Sequence, residues 1–222
     1  MLSILFDANL KPGLFGIGRN LAPRIEQQKV VCLSEIPPGE WLRLSERRQS
    51  QFGIGFSKKF ISERGGGAVW YTRKDSKQNK ALKKLMKLGA EDPKNPIWSI
   101  TPMIDAPGMY GMKAYEYEWE REWRHIGALA FEPKDVAFLF IPEELHCQAR
   151  AFFSDAFHNN TGPAYFCPFI DAKWTRSRVE EELNKGPVQM PPDPPAYEEW
   201  FLDRENGNGK TVNVSISRLR LR

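Results

Sequence analysis

Cysteine and histidine are both scarce here, with three of each in 222 residues. Cys32, Cys147 and Cys167 are an odd number with no Cys-x-x-Cys spacing, which excludes a zinc ribbon or a disulfide framework and predicts reduced thiols. His125, His146 and His158 have no metal-ligand spacing, so no metal is expected. No apolar run approaches the roughly 18 residues needed to cross a bilayer. The opening Met1-Leu2-Ser3-Ile4-Leu5 lacks the basic and apolar stretches of a secretory leader. These absences predict a soluble, cytoplasmic chain without a membrane partner. Internal repeats are missing too, and a hydrophobic fraction of 41% excludes collagen-like and disordered chains while providing for one sizeable core.

The net charge of +4 is a difference between segments rather than an even spread. Trp41 to Lys87 holds thirteen Lys and Arg against three acids, whereas Leu88 to Leu145 holds five against eleven. A strongly basic stretch therefore precedes an acidic one. Such polarity points to an anionic partner, although a solvated basic face gives the same count.

Periodicity outlines the elements. Strands are expected over Val30–Ile36, Phe52–Ser57, Ala68–Thr72, Val136–Ile141 and Tyr165–Ile170. In Phe52-Gly53-Ile54-Gly55-Phe56 the small residues alternate with large ones, as on a strand approached closely by a ligand or another backbone. Helices are expected over Met1–Ala8, over Glu40–Gln49 with Trp41, Leu42 and Leu44 inward, and over Asp75–Leu88, Glu143–Phe157 and Lys173–Lys185. The mixture has no βαβ rhythm, so the class is α+β. Residues 1–185 form one domain, and 186–222 form a Pro-rich tail whose five prolines in Pro187–Pro195 forbid regular structure.

Within the acidic stretch, Tyr115-Glu116-Tyr117-Glu118-Trp119-Glu120-Arg121-Glu122-Trp123-Arg124 alternates carboxylates with aromatics. As one strand it would place Glu116, Glu118, Glu120 and Glu122 on a single face at spacings of about 6.6 Å. Such like charges gain nothing structurally unless cations answer them. A carboxylate pair suits cleavage at an anomeric carbon: one stabilises the oxocarbenium-like transition state while the other orients or deprotonates the acceptor. The same pattern fits an edge strand whose acids pair with the basic segment.

The succession Val30-Val31-Cys32-Leu33-Ser34-Glu35-Ile36, Arg47-Arg48, Phe52-Gly53-Ile54-Gly55-Phe56-Ser57-Lys58, Gly65-Gly66-Gly67-Ala68-Val69-Trp70 and Glu120-Arg121-Glu122-Trp123-Arg124 resembles the AbiGi-type abortive phage resistance family. That family is in turn distantly similar to mono-ADP-ribosyltransferases of the DarT kind. The resemblance implies a split antiparallel sheet core with peripheral helices, and an activity that cleaves NAD and passes ADP-ribose to a macromolecule. It implies Glu122 at the nicotinamide-ribose hydroxyl and Glu120 at the acceptor, or the reverse, with Arg124 behind them. Ser34, Arg47, Arg48 and Phe52 would hold ribose and pyrophosphate. It also implies a toxin, antitoxin or other defence partner. Family members open with a His-Phe-Thr-like strand that is absent here, which favours the alternative of a non-catalytic antitoxin or binding module.

Lys77, Lys80, Lys83, Lys84 and Lys87 on the basic helix are candidate nucleic-acid contacts, with Trp70, Tyr71 and Arg73 nearby for stacking. His125 reads as structural, His146 and Cys147 point apart on a helix, and the Gly16-Ile17-Gly18 and Gly53-Ile54-Gly55 fragments lack the context of a phosphate loop.

Overall fold

The computed structural model describes residues 1–116 and 118–187. Tyr117, and the tail expected from residue 186 onward apart from its first two residues, lie outside that range. Helix α1 (Leu2–Asp7) leads into short strands β1 (Asn9–Leu10) and β2 (Gly13–Leu14). Strand β3 (Lys29–Ser34), helix α2 (Trp41–Arg48), strand β4 (Gly53–Phe56) and helix α3 (Lys58–Glu63) follow. Next come β5 (Gly67–Ala68), β6 (Trp70–Tyr71), α4 (Lys77–Leu88), α5 (Ile97–Ile100) and β7 (Ile104–Asp105). A hairpin of β8 (Gly108–Tyr110) and β9 (Lys113–Tyr115) precedes β10 (Glu122–Ile126), β11 (Leu129–Ala130) and β12 (Val136–Phe140). Helix α6 (His146–His158), β13 (Phe169–Ile170) and α7 (Arg176–Asn184) complete the described chain.

The molecule is an α+β mixture of small sheets. An antiparallel sheet in the order β2-β3-β10-β5 is central to the site, and a second sheet runs β13-β12-β4. That second sheet is not wholly antiparallel, because β12 and β13 pair in parallel, as do β6 and β7. Among the described residues no helix is long and apolar enough to cross a membrane.

Apolar residues assign each helix its place. Leu5 of α1 and Phe153 of α6 bury against Val136, Leu139 and Phe169 of the second sheet. Trp41 of α2 and Val179 of α7 pack with Ile36 and Ile170, beside the rings of Phe138 and Phe140. Ile61 of α3 covers Val31, Leu33 and Trp123 on one face of the central sheet. Helix α4 begins where Ser76 Oγ accepts the Asn79 amide at 3.1 Å, a side-chain N-cap, and buries Leu82 and Met86 against α5. Leu42 differs from its expected inward position and is 44% exposed, since Trp41 and Leu44, three residues apart, already supply the buried stripe of α2.

Two further expectations are corrected. The glycines of β4 make room for aromatic rings rather than for a ligand or backbone: a Cβ at Gly55 would stand 2.3 Å from the Phe138 ring, and one at Gly53 3.0 Å from Phe140. Gly55→Ala is accordingly expected to cost about 1–3 kcal/mol through overpacking, read as a lower urea midpoint at unchanged slope. The run from Tyr115 to Arg124 is not one strand. It is interrupted by a 3-10 turn over Glu118–Glu120 and by Arg121 in the left-handed region at φ 44°. The turn replaces a row of repelling carboxylates with separate ion pairs: Glu118 with Arg73, Glu120 with Arg47 and Arg48, and Glu122 with Arg124.

Candidate functional site

The polar face of the central sheet is set by register. Glu122 lies opposite Ser34 and Arg124 opposite Cys32, so period-two geometry places all four on the face away from Ile61 and Trp123. The turn before β10 is tied to the end of β3, where the Glu35 amide donates to the carbonyls of Glu120 and Arg121 at 3.0 and 3.3 Å. Helix α2 then delivers its last-turn arginines to the same place.

Two carboxylate clusters result. In the first, Glu120 is only 2% exposed. Ser34 Oγ donates to its Oε2 at 3.2 Å, Arg48 Nη2 donates to the same oxygen at 2.5 Å, and Arg47 Nε stands 3.5 Å from Oε1. Oε1 itself, although buried, accepts no hydrogen bond among the described residues. The guanidinium of Arg43 lies over the Trp119 ring at 4.2 Å and that of Arg47 at 5.6 Å, so three arginines of α2 surround this turn. Arg47 and Arg48 keep half-exposed side chains while their carboxylate partner is buried.

In the second cluster Arg124 is fully buried and forks onto Glu122, with Nε to Oε1 at 2.9 Å and Nη2 to Oε2 at 3.0 Å. Nη2 also donates to Asp105 Oδ2 at 2.6 Å, and Nη1 to the Pro102 carbonyl at 2.7 Å. Burial works against the charge on Arg124, but the hydrogen bonds and charges of Glu122 and Asp105 outweigh it and hold its pKa above the ordinary arginine range. Around the pair, burial first and the Glu122 carboxylate second push the Cys32 thiol up to about 12. Burial, then Asp105 and Glu122, raise Tyr115 to about 12, and burial with Glu122 raises Tyr71 as well. Cys32, although exposed as a residue, is thereby biased toward the thiol form.

The structure thus brings Ser34, Arg47, Arg48 and Glu120 into contact and sets Glu122 and Arg124 beside them. Phe52 stands exposed on the loop between α2 and β4, where Ser50 Oγ accepts its amide at 3.2 Å. Lys77, Lys80, Lys83, Lys84 and Lys87 are all exposed on α4. Tyr71 is half-buried with its hydroxyl inside, whereas Trp70 is 53% exposed. His125 and His146 bond the carbonyls of Gly127 and Ile141 at 3.4 and 2.9 Å. No group of three or more His, Cys, Asp and Glu positioned for a metal occurs among the described residues. Asp105, Arg43 and Trp119 escaped the sequence reading. The one signal for Asp105 was a lone acid inside the apolar Thr101-Pro102-Met103-Ile104-Asp105-Ala106.

Beside the site, Lys58 Nζ and Trp123 Nε1 each donate to Glu35 at 2.9 Å, and these bonds, the lysine's first, hold its carboxyl below the usual range. A depressed folded pKa contributes stability above the unfolded value that is lost as pH falls through the folded one. Glu35→Gln should therefore flatten the acid limb of the stability–pH profile, measured by urea unfolding from neutral pH downward. An unchanged limb would show that the pair is screened.

No family model, no curated protein and no solved structure matches this chain.

Proposed function

We propose that the chain is a mono-ADP-ribosyltransferase of the abortive-infection kind, built on an ADP-ribosyltransferase-like core and taking NAD across the polar face of β3 and β10. The observation that carries this reading is the Glu120 cluster: a carboxylate with one oxygen lacking a donor, flanked by Ser34 and by two arginines with solvent-facing sides. A ligand that complements it brings both a hydroxyl and an anion, which is the chemistry of a ribose diphosphate. Arginine forks suit the pyrophosphate oxygens. Turned outward to that anion, Arg47 and Arg48 uncover the carboxylate they now cover.

The same grouping favours Glu120 over Glu122 at the nicotinamide-ribose hydroxyl. In the reaction the glycosidic C–N bond breaks and nicotinamide leaves neutral with the bonding pair. The acceptor's oxygen or nitrogen bonds the ribosyl carbon, and its proton passes to a carboxylate and then to water. Glu120 stabilises the oxocarbenium-like centre; Glu122, fixed by Arg124 and Asp105, orients the acceptor.

A second reading, a non-catalytic binding module of a toxin–antitoxin or phage-defence system, draws on the arginine partners that both glutamates already possess. Incubation with NAD labelled in the adenylate, together with RNA, DNA or cell lysate, separates the two. Nicotinamide release and label transfer are expected. A folded protein that releases none with any acceptor is not a transferase.

A further inference from the structure

We propose that α4 and the β8–β9 hairpin form a single surface for duplex nucleic acid, on which the helix contacts the phosphates and Met112 enters between base steps. The two elements are contiguous. Lys74 Nζ donates to the Met109 carbonyl at 2.5 Å, Arg73, Lys74, Asp75, Gly108 and Met109 line one shallow cleft of about 220 Å³, and Lys83 of α4 reaches Asp75 at 4.0 Å.

The charge on α4 itself is of one kind and largely uncompensated, the acids Asp75 and Glu118 lying outside the helix and paired with Lys83 and Arg73. Lys77, Lys80, Lys84 and Lys87 recur at i, i+3, i+7 and i+10, forming a stripe opposite the buried Leu82 and Met86. Among the described residues none of these four, nor Lys113 on the hairpin, has an ion-pair partner, whereas Arg73 and Lys83 do. The stripe is about 15 Å long at 1.5 Å per residue, which spans the rise of four to five base pairs.

The apolar chemistry distinguishes a duplex from its rivals. Single strands are held by open aromatic faces. Here the Tyr110 ring, although 48% exposed, is held under the Lys74 ammonium at 4.7 Å, edge-on to Tyr115 and with its hydroxyl on the Ala106 carbonyl at 2.7 Å, and Trp70, 53% exposed, is a single ring where a tracked strand stacks successive bases on several. What projects instead is Met112, 99% exposed beside Gly111 at φ 64°, with Met109 53% exposed behind it. One unbranched side chain at the tip of a hairpin has the shape of the apolar wedges that part base steps. Anchoring in a lipid surface requires more buried apolar area than one such tip supplies.

Fluorescence anisotropy tests this without NAD, so this surface and the NAD reading can fail separately. The full chain is titrated with a short duplex containing 2-aminopurine, with its single strand, and with phosphatidylserine vesicles. The duplex should bind most tightly, with a log–log salt slope of about −3.6 for four phosphate contacts. K80E/K84E should weaken it more than about tenfold and flatten the slope by about 1.8. Met112→Ser should retain the phosphate-borne affinity yet lose the rise in 2-aminopurine fluorescence. Tighter binding to the single strand or to vesicles, insensitivity to K80E/K84E, or the same fluorescence rise in Met112→Ser each overturns the assignment. Circular dichroism of these surface variants verifies that they fold.

Discussion

Arg124→Met lowers the free energy of unfolding by about 3–5 kcal/mol, because it strands the buried Asp105 and the part-buried Glu122 carboxylates that now share one guanidinium. With a total of about 5–15 kcal/mol for a typical domain, a large part of the stability goes with that one side chain. The loss belongs to the unpaired charges rather than to missing volume, since methionine fills much of the arginine's space. Neutralising the partners as well, in R124M/E122Q/D105N, should therefore recover a substantial share. Urea unfolding of both variants decides it: a single variant within about 1 kcal/mol of the parent would mean that water reaches the cluster and screens it.

The second large effect is chemical. Glu120→Gln should reduce nicotinamide release about 10²–10⁴-fold, the range supplied by a positioned carboxylate. Loss should appear even when water is the acceptor, as Glu120 acts on the ribose side. Glu122→Gln should spare hydrolysis to water while reducing transfer to a macromolecule. Glutamine retains a carbonyl for Ser34 and Arg48, so the unfolding midpoint of Glu120→Gln tells catalytic loss from collapse of the turn. A folded Glu120→Gln protein with undiminished release would remove Glu120 from the ribose site, and the opposite division between the two variants would exchange their roles.

Element types were readable where a single periodicity dominated. The helix expected over Asp75–Leu88, found over Lys77–Leu88, and the strand from Val136 follow from side-chain spacing, whereas the Ser76 cap that sets the helix start does not. The acidic stretch was not readable in that manner. Tyr, Trp and alternating Glu give a strand pattern, yet the alternation is broken because Glu118 and Glu120 find cations distant in sequence, Arg73 and the Arg47/Arg48 pair, and a straight strand cannot present its acids to both. Ser34, Arg47, Arg48, Glu120, Glu122 and Arg124 were individually legible as candidates, and their grouping into two clusters was not. It depends on the β3–β10 register and on Asp105, which lies 19 residues from Arg124 and carries no periodic signal. The parallel partnership of β12 with β13 is equally invisible locally, since it joins strands separated by the whole of α6.

The turn at Glu118–Arg121 also governs how the molecule breathes. Its two acids fasten it to Arg73 ahead of α4 and to the end of α2, and Glu122, which follows it on β10, binds the guanidinium of Arg124 within the central sheet. The Glu35 amide bonds to this turn, and the Val69 amide to the Glu122 carbonyl at 2.8 Å. These amides cannot be freed independently. In native-state hydrogen exchange they should open together as one cooperative unit, with matched protection that drops in concert when Arg48 or Arg124 is removed.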